Sequence, residues 1–132
     1  MVDLVGSWDW GHGRLGPYSL VWFDALAPDG TEYPSSYVAH NGRIVTAQCA
    51  GISVRPTGAN STYPPKQDTG PPEGYHISFD LGSEGKLEVD LKTVQAVVNA
   101  ELYYRFTGTM SGSLKGNTWT GVGLWEQFNL MP

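Results

Sequence analysis

The carboxylate of Glu126 has Leu124 and Phe128 as its neighbours two positions away on either side. In an extended chain it shares their face. A carboxylate on an apolar face must pair, bind a donor, or keep its proton because burial disfavours the charge. Glu126 is therefore a candidate hydrogen-bond donor to a ligand, unless an edge position or a bulge turns it outward. Gly121 and Gly123 would suit such a bulge, or a ligand's close approach. A second group of chemical interest lies in Ser7 to Leu26, which reads SWDWGHGRLGPYSLVWFDAL. Side chains alternate faces, so Trp8, Trp10 and His12 project together from one run and Tyr18, Leu20, Trp22 and Asp24 from the next. If the runs pair with those faces side by side, they form an aromatic wall with a histidine and an aspartate set into it. Such a wall suits a large, flat or polyene-like ligand. The competing reading makes these tryptophans ordinary core.

Other chemistries are excluded by what the chain lacks. The three histidines, at 12, 40 and 76, have no Cys or carboxylate at ligand spacing, so no metal site is expected. There is no phosphate loop, no G-x-S-x-G elbow and no dinucleotide fingerprint. Eight basic residues against 13 acidic give a net charge of -5. The scattered cations offer no stripe for a nucleic-acid backbone. No apolar run reaches the roughly 20 residues that span a bilayer. The opening residues lack the regions of a signal peptide, and the single Cys49 agrees with a reducing compartment. The expectation is a cytoplasmic protein with no membrane partner, and with Cys49 a small buried hydrophobe. The sequon Asn60-Ser61-Thr62 lies in an expected loop.

The elements that must position these groups are strands. Seventeen glycines and nine prolines among many β-branched and aromatic residues argue for short strands and turns, with no convincing helical period. Runs at 7–13, 18–27, 33–40, 43–49 and 52–55 are separated by turn residues, among them Pro28-Asp29-Gly30 and Asn41-Gly42. Pro56 to Pro72 is a long loop, read either as a lid over a pocket or as a surface excursion. The runs 75–81 and 86–92 form a hairpin whose polar face carries His76 as a surface residue. Strands at 96–107, 109–115 and 118–130 complete the set, with Glu101 and Arg105 as an exposed pair and a type II′ turn at Gly116-Asn117. Residues 1–132 thus make one all-β domain, an antiparallel lipocalin-like barrel or sandwich of about eight to ten strands with room for one ligand.

The segments WDWGHGRLGPYSLVWFDALAPDGTEYPSSYV and GVGLWEQFNL resemble the C-terminal domain of fungal lipocalin-like Diels–Alderases, relatives of the hydroxyneurosporene synthases. The likeness covers nearly the whole chain. It implies a cofactor-independent cyclase of secondary metabolism that folds a linear polyene or polyketide for [4+2] cycloaddition. It also implies a pocket at the junction of two β-rich domains. This chain lacks the N-terminal domain and the Asp-x-Asn-Trp-Gly segment that normally precede the matched region. Activity would then call for that missing domain, or a second copy, as partner. Trp8, Trp10, Tyr18, Trp22 and Asp24 would bind substrate, and His12, a tryptophan N–H or a protonated Glu126 would polarise a carbonyl as charge shifts.

Two readings of another class stand beside this one. A lipocalin-like carrier would hold an apolar molecule without transforming it. A carbohydrate-binding module would present Trp119 and Trp125, on one face with Gln127 and Asn129, in a row open to solvent. A purely structural half of a larger enzyme would show a broad exposed apolar patch.

Overall fold

The computed structural model describes residues 5–132. Nine strands run through the described residues: β1 Ser7–Leu15, β2 Tyr18–Leu26, β3 Glu32–His40, β4 Arg43–Gln48, β5 Ile52–Thr57, β6 Gly74–Asp80, β7 Lys86–Asn99, β8 Tyr103–Leu114 and β9 Asn117–Asn129. All pair antiparallel in one sheet ordered β4-β3-β2-β1-β9-β8-β7-β6-β5. The sheet curls into a half-barrel, in keeping with the lipocalin-like expectation. β4 and β5 end the sheet, and no ladder joins them among the described residues. Instead β5 meets β2 and β3 through side chains, with edge residue Arg55 donating to Glu32 at 2.8 Å.

Turn chemistry sets most of the register. Asn41 and Gly42 have φ of 50° and 81°, the two left-handed residues that a type I′ hairpin requires. The last hairpin differs from expectation. Its left-handed pair is Lys115 (φ 49°) and Gly116 (φ 83°), a type I′ turn one residue earlier than the II′ turn at Gly116-Asn117.

The stretch from 93 to 115 is also divided differently. The expected break near Gly108 is absent: β7 continues to Asn99 through register shifts at Thr93/Gln95 and Ala96/Val98, and β8 begins only at Tyr103. Ala100, Glu101 and Leu102 make the connection, closed by Ala100 N–H donating to Tyr103 O at 2.9 Å. Gly108 lies mid-strand opposite Gly123, where a Cβ would collide with the Lys92 carbonyl and the Trp125 ring. Its role is packing, and the strands among the described residues number nine.

The inner face is filled. Trp22, Trp125, Tyr75, Phe79, Phe106, Leu15, Leu20 and Ile77 are all fully buried there, each contributing about 1.5–3 kcal/mol by leaving water. Side chains occupy most of the space that the sequence reading left for a ligand, apolar along the inner face and polar at the end that carries Ser7, Asp9, Asp24, Gln127 and Asn129. Gly121 and Gly123 make room for protein as well: a Cβ at Gly121 would strike the Arg14 carbonyl, and one at Gly123 would lie 2.8 Å from the His12 carbonyl. Cys49 is exposed in the β4–β5 turn and is not a buried hydrophobe.

Candidate functional site

Strand alternation divides the predicted site residues between the two faces of the sheet. Tyr18, Trp22 and Asp24 point inward from β2. Trp8, Trp10 and His12 point outward from β1, so the two groups do not form one wall. Register explains the separation: Gly11 is the partner of Trp22, while Trp10 lies beside outward Phe23. Glu126 also points outward, directly across from Trp10 on the neighbouring strand. It sits on central β9, turned out by ordinary alternation with no bulge there.

The outer face is a continuous aromatic surface. The Trp8 ring lies 4.9 Å from Phe128 and 6.4 Å from Phe23, and Phe128 lies 5.4 Å from Tyr103. All are half-buried. Glu126 is held among them. It accepts from the Tyr103 hydroxyl and from Arg105 at 3.0 Å, so Arg105 pairs across β8–β9 and not with Glu101. Burial, then the Glu126 carboxylate, pushes the Tyr103 phenol above its ordinary value. Two donors and one carboxylate are thus fixed beside an aromatic surface. Tyr103, Arg105, Phe23 and Phe128 escaped the sequence reading because only strand pairing brings them to Trp8 and Trp10.

Along the same face, toward Arg14, lies an open trough of about 720 Å³. Its floor is Gly13, Gly123 and Gly108, aligned across β1, β9 and β8. Val21, Val94, Val122 and Leu124 make it apolar, and His12 and Arg14 stand along it. The volume falls within the usual 300–1,000 Å³ range of small-molecule sites. His12 is exposed, with its ring 5.4 Å from that of Trp10.

The inner face carries a different cluster at one end of the barrel. Asp9 accepts from the Tyr75 hydroxyl at 2.8 Å and from Gln127 at 3.2 Å, and Asn129 donates to Gln127 at 3.1 Å. The Tyr63 hydroxyl lies 2.7 Å from Asp24 and 3.0 Å from Glu32, and Arg55 stacks 4.0 Å over the Tyr63 ring. Burial raises Asp9 to about 6 despite its hydrogen bonds. Burial and the neighbouring Glu32 raise Asp24, whereas Arg55 holds Glu32 well below the usual carboxylate range. The two carboxyl groups share the one Tyr63 hydroxyl and each other, so the cluster keeps a proton on the Asp24 side while Arg55 keeps Glu32 ionised.

Trp125, Gln127 and Asn129 are buried and Trp119 is partly buried, so they do not form the solvent-facing row that the sugar-binding alternative requires. Among the described residues no group of three or more His, Cys, Asp or Glu is placed to hold a metal ion, and no helix is long and apolar enough to cross a membrane.

No family model matches the chain. It is 39% identical over 127 residues to the quinolone epoxide rearrangement protein penF of Penicillium thymicola, covering 94% of this chain and 35% of that protein. It is 36% identical over 131 residues to the quinolone epoxide rearrangement protein asqO of Emericella nidulans, covering 97% of this chain and 36% of that one. The chain therefore spans about a third of each relative's length. Crystal structures of CghA, one of them with Sch210972, superpose with a TM-score of 0.74 at 17% identity, over 98% of this chain and 42% of theirs, a likeness of fold.

Proposed function

We propose that this chain is the ligand-bearing β-domain of a fungal protein that rearranges a quinolone epoxide, and that the ligand lies on the outer face. One observation carries the reading: the interior is filled, while the outer face joins an aromatic surface, a trough of ligand size and a fixed set of donors. The names of the two relatives supply the substrate class.

The chemistry such a rearrangement demands is compatible with these residues. As an epoxide C–O bond breaks, its electron pair stays on oxygen, which needs a donor, and the carbon becomes electron-poor. The Arg105 guanidinium has N–H groups beyond those bound to Glu126 and can donate to that oxygen, and the Tyr103 hydroxyl donates to it by turning its one proton from Glu126 to the epoxide oxygen. The faces of Trp8, Trp10 and Phe128 stabilise the developing cation. A neighbouring group then migrates to the electron-poor carbon, and the proton lost from the substrate to solvent is matched by one gained at the former epoxide oxygen. The sequence is an isomerisation that needs no cofactor. His12 and Arg14 would fix the ligand's polar edge in the trough. The remaining two-thirds of the longer relatives would cover the face and exclude water.

The cycloaddition suggested by the resemblance is the second reading, favoured by the fold shared with CghA. It would use the same aromatic face to fold a polyene. Product analysis separates the two. Incubated with a quinolone epoxide, the chain should yield an isomer of unchanged mass, and Tyr103→Phe should slow its formation by about 10²-fold. Conversion that is unaffected by Tyr103→Phe would contradict the assignment. A linear polyene that cyclises while the epoxide is ignored would favour the second reading.

A further inference from the structure

The inner end of the barrel has more polar groups than the fold requires. Ser7, Asp9, Asp24, Gln127 and Asn129 are all buried there, brought together by the registers Ser7↔Asn129, Asp9↔Gln127 and Asp9↔Asp24. Apolar side chains would fill the same space at lower cost, as they do further along every one of these strands. Among the described residues six side-chain atoms are buried with no hydrogen-bond partner, Ser36 Oγ, Thr93 Oγ1 and Trp125 Nε1 among them, and three, Ser7 Oγ, Asp24 Oδ1 and Asn129 Oδ1, belong to this polar group. Buried polar atoms are normally paired, so three orphans at one place mark somewhere a partner belongs.

The covering over this end is the connection from Gly58 to Glu73, long enough to need a reason of its own. It is bonded within itself, Asn60 Nδ2 to the Pro71 carbonyl at 2.8 Å and Glu73 N to the Ala59 carbonyl at 3.3 Å, so it can move as a unit. Away from that base it is fastened at two points. Gln67 bonds the carbonyls of Leu130 and Met131, and Tyr63 is gripped by Asp24, Glu32 and Arg55.

We infer that residues 58–73 form a latched lid, with Tyr63 as the latch, over a second and interior binding site that takes a small neutral group able to donate hydrogen bonds. The class follows from the atoms. Asn129 Oδ1 can only accept, Asp24 Oδ1 offers a further acceptor, and Ser7 can do either. An anion would meet acceptors, and a cation would compete with Arg55, which already serves the acidic side chains. An amide or lactam N–H, or an alcohol, fits.

The test uses 2-pyridone, a one-ring lactam, beside pyridine, which is as flat but has no donor. Hydrogen exchange and backbone NMR are recorded on the wild type, Tyr63→Phe and Glu32→Gln at neutral pH. The latch variants should raise exchange in 58–73 at least tenfold while the strands stay protected. In them 2-pyridone should shift the signals of Ser7, Gln127 and Asn129 with about tenfold higher affinity than in the wild type, and pyridine should not. Unchanged exchange in both variants overturns the lid. Equal or absent shifts with the two probes overturn the site, leaving the orphans to water. Neither readout involves the outer face, so this inference and the proposed function fail separately.

Discussion

Asp9 on β1 and Asp24 on β2 are register partners on the inner face, 2% and 1% exposed, so two carboxyl groups oppose each other inside the barrel. Both hold protons more tightly folded than unfolded. Their stabilisation is complete below the unfolded value of 3.8 and is lost as pH rises, through about 6 for Asp9 and further for Asp24. Glu32 runs the other way: its contribution is present above 4.5 and lost as pH falls through about 2. Stability should therefore peak just below pH 4 and fall from there toward neutrality, by roughly 3 kcal/mol from Asp9 alone. Urea midpoints at pH 4.5, 6 and 8 check this, and Asp9→Asn should flatten the fall.

The seam between β5 and β3 depends on Arg55. Its guanidinium is partly exposed, which screens the pair with Glu32, so Arg55→Ala should cost only about 1 kcal/mol. The effect should concentrate at the seam. Amide exchange should rise along β5 and loop 58–73 and remain low along β9.

Gly108→Ala should be among the most damaging small substitutions. Its Cβ would meet the Lys92 backbone carbonyl, which cannot yield as a flexible side chain would. A loss of about 1–3 kcal/mol or more is expected in thermal or urea unfolding. Val122→Ala, at an outward site 65% exposed, should stay within about 0.5 kcal/mol.

His76 lies on the outer surface between two carboxylates, 2.7 Å from Glu88 and 2.8 Å from Asp90. Partial burial opposes its charge, but the two hydrogen bonds outweigh burial and raise it above 6.5. Its contribution is present below that value and lost as pH climbs past the raised one. Glu88→Gln should bring the imidazole titration, followed by NMR, back toward the ordinary value.

Alternation along each strand was legible in the sequence, and it grouped Trp8 with Trp10 and His12, and Trp22 with Asp24, correctly. Which group faces inward was not. For β1 the inner residues are Ser7, Asp9, Gly11 and Gly13, small because neighbouring strands fill the space: a Cβ at Gly11 would meet the Trp22 ring and lie 2.7 Å from Trp125 Cβ. That is a property of the pairing, invisible within one strand. Glu126 was rightly singled out as a carboxylate needing partners, but those partners, Tyr103 and Arg105, lie across a ladder whose start was misplaced by reading Gly108 as a break. Tyr63, far along the chain from Asp24 and within a loop, left no local signal of its contact.

The central claim is that the outer face, not the filled interior, meets the ligand. Tryptophan fluorescence of the chain titrated with a quinolone epoxide tests it most directly, because Trp8 and Trp10 lie outside while Trp22 and Trp125 are buried. The account predicts saturable quenching that weakens at least tenfold in Trp10→Ala and persists with unchanged affinity in Trp22→Phe. Quenching that survives Trp10→Ala and disappears in Trp22→Phe would place the ligand inside the barrel and contradict it.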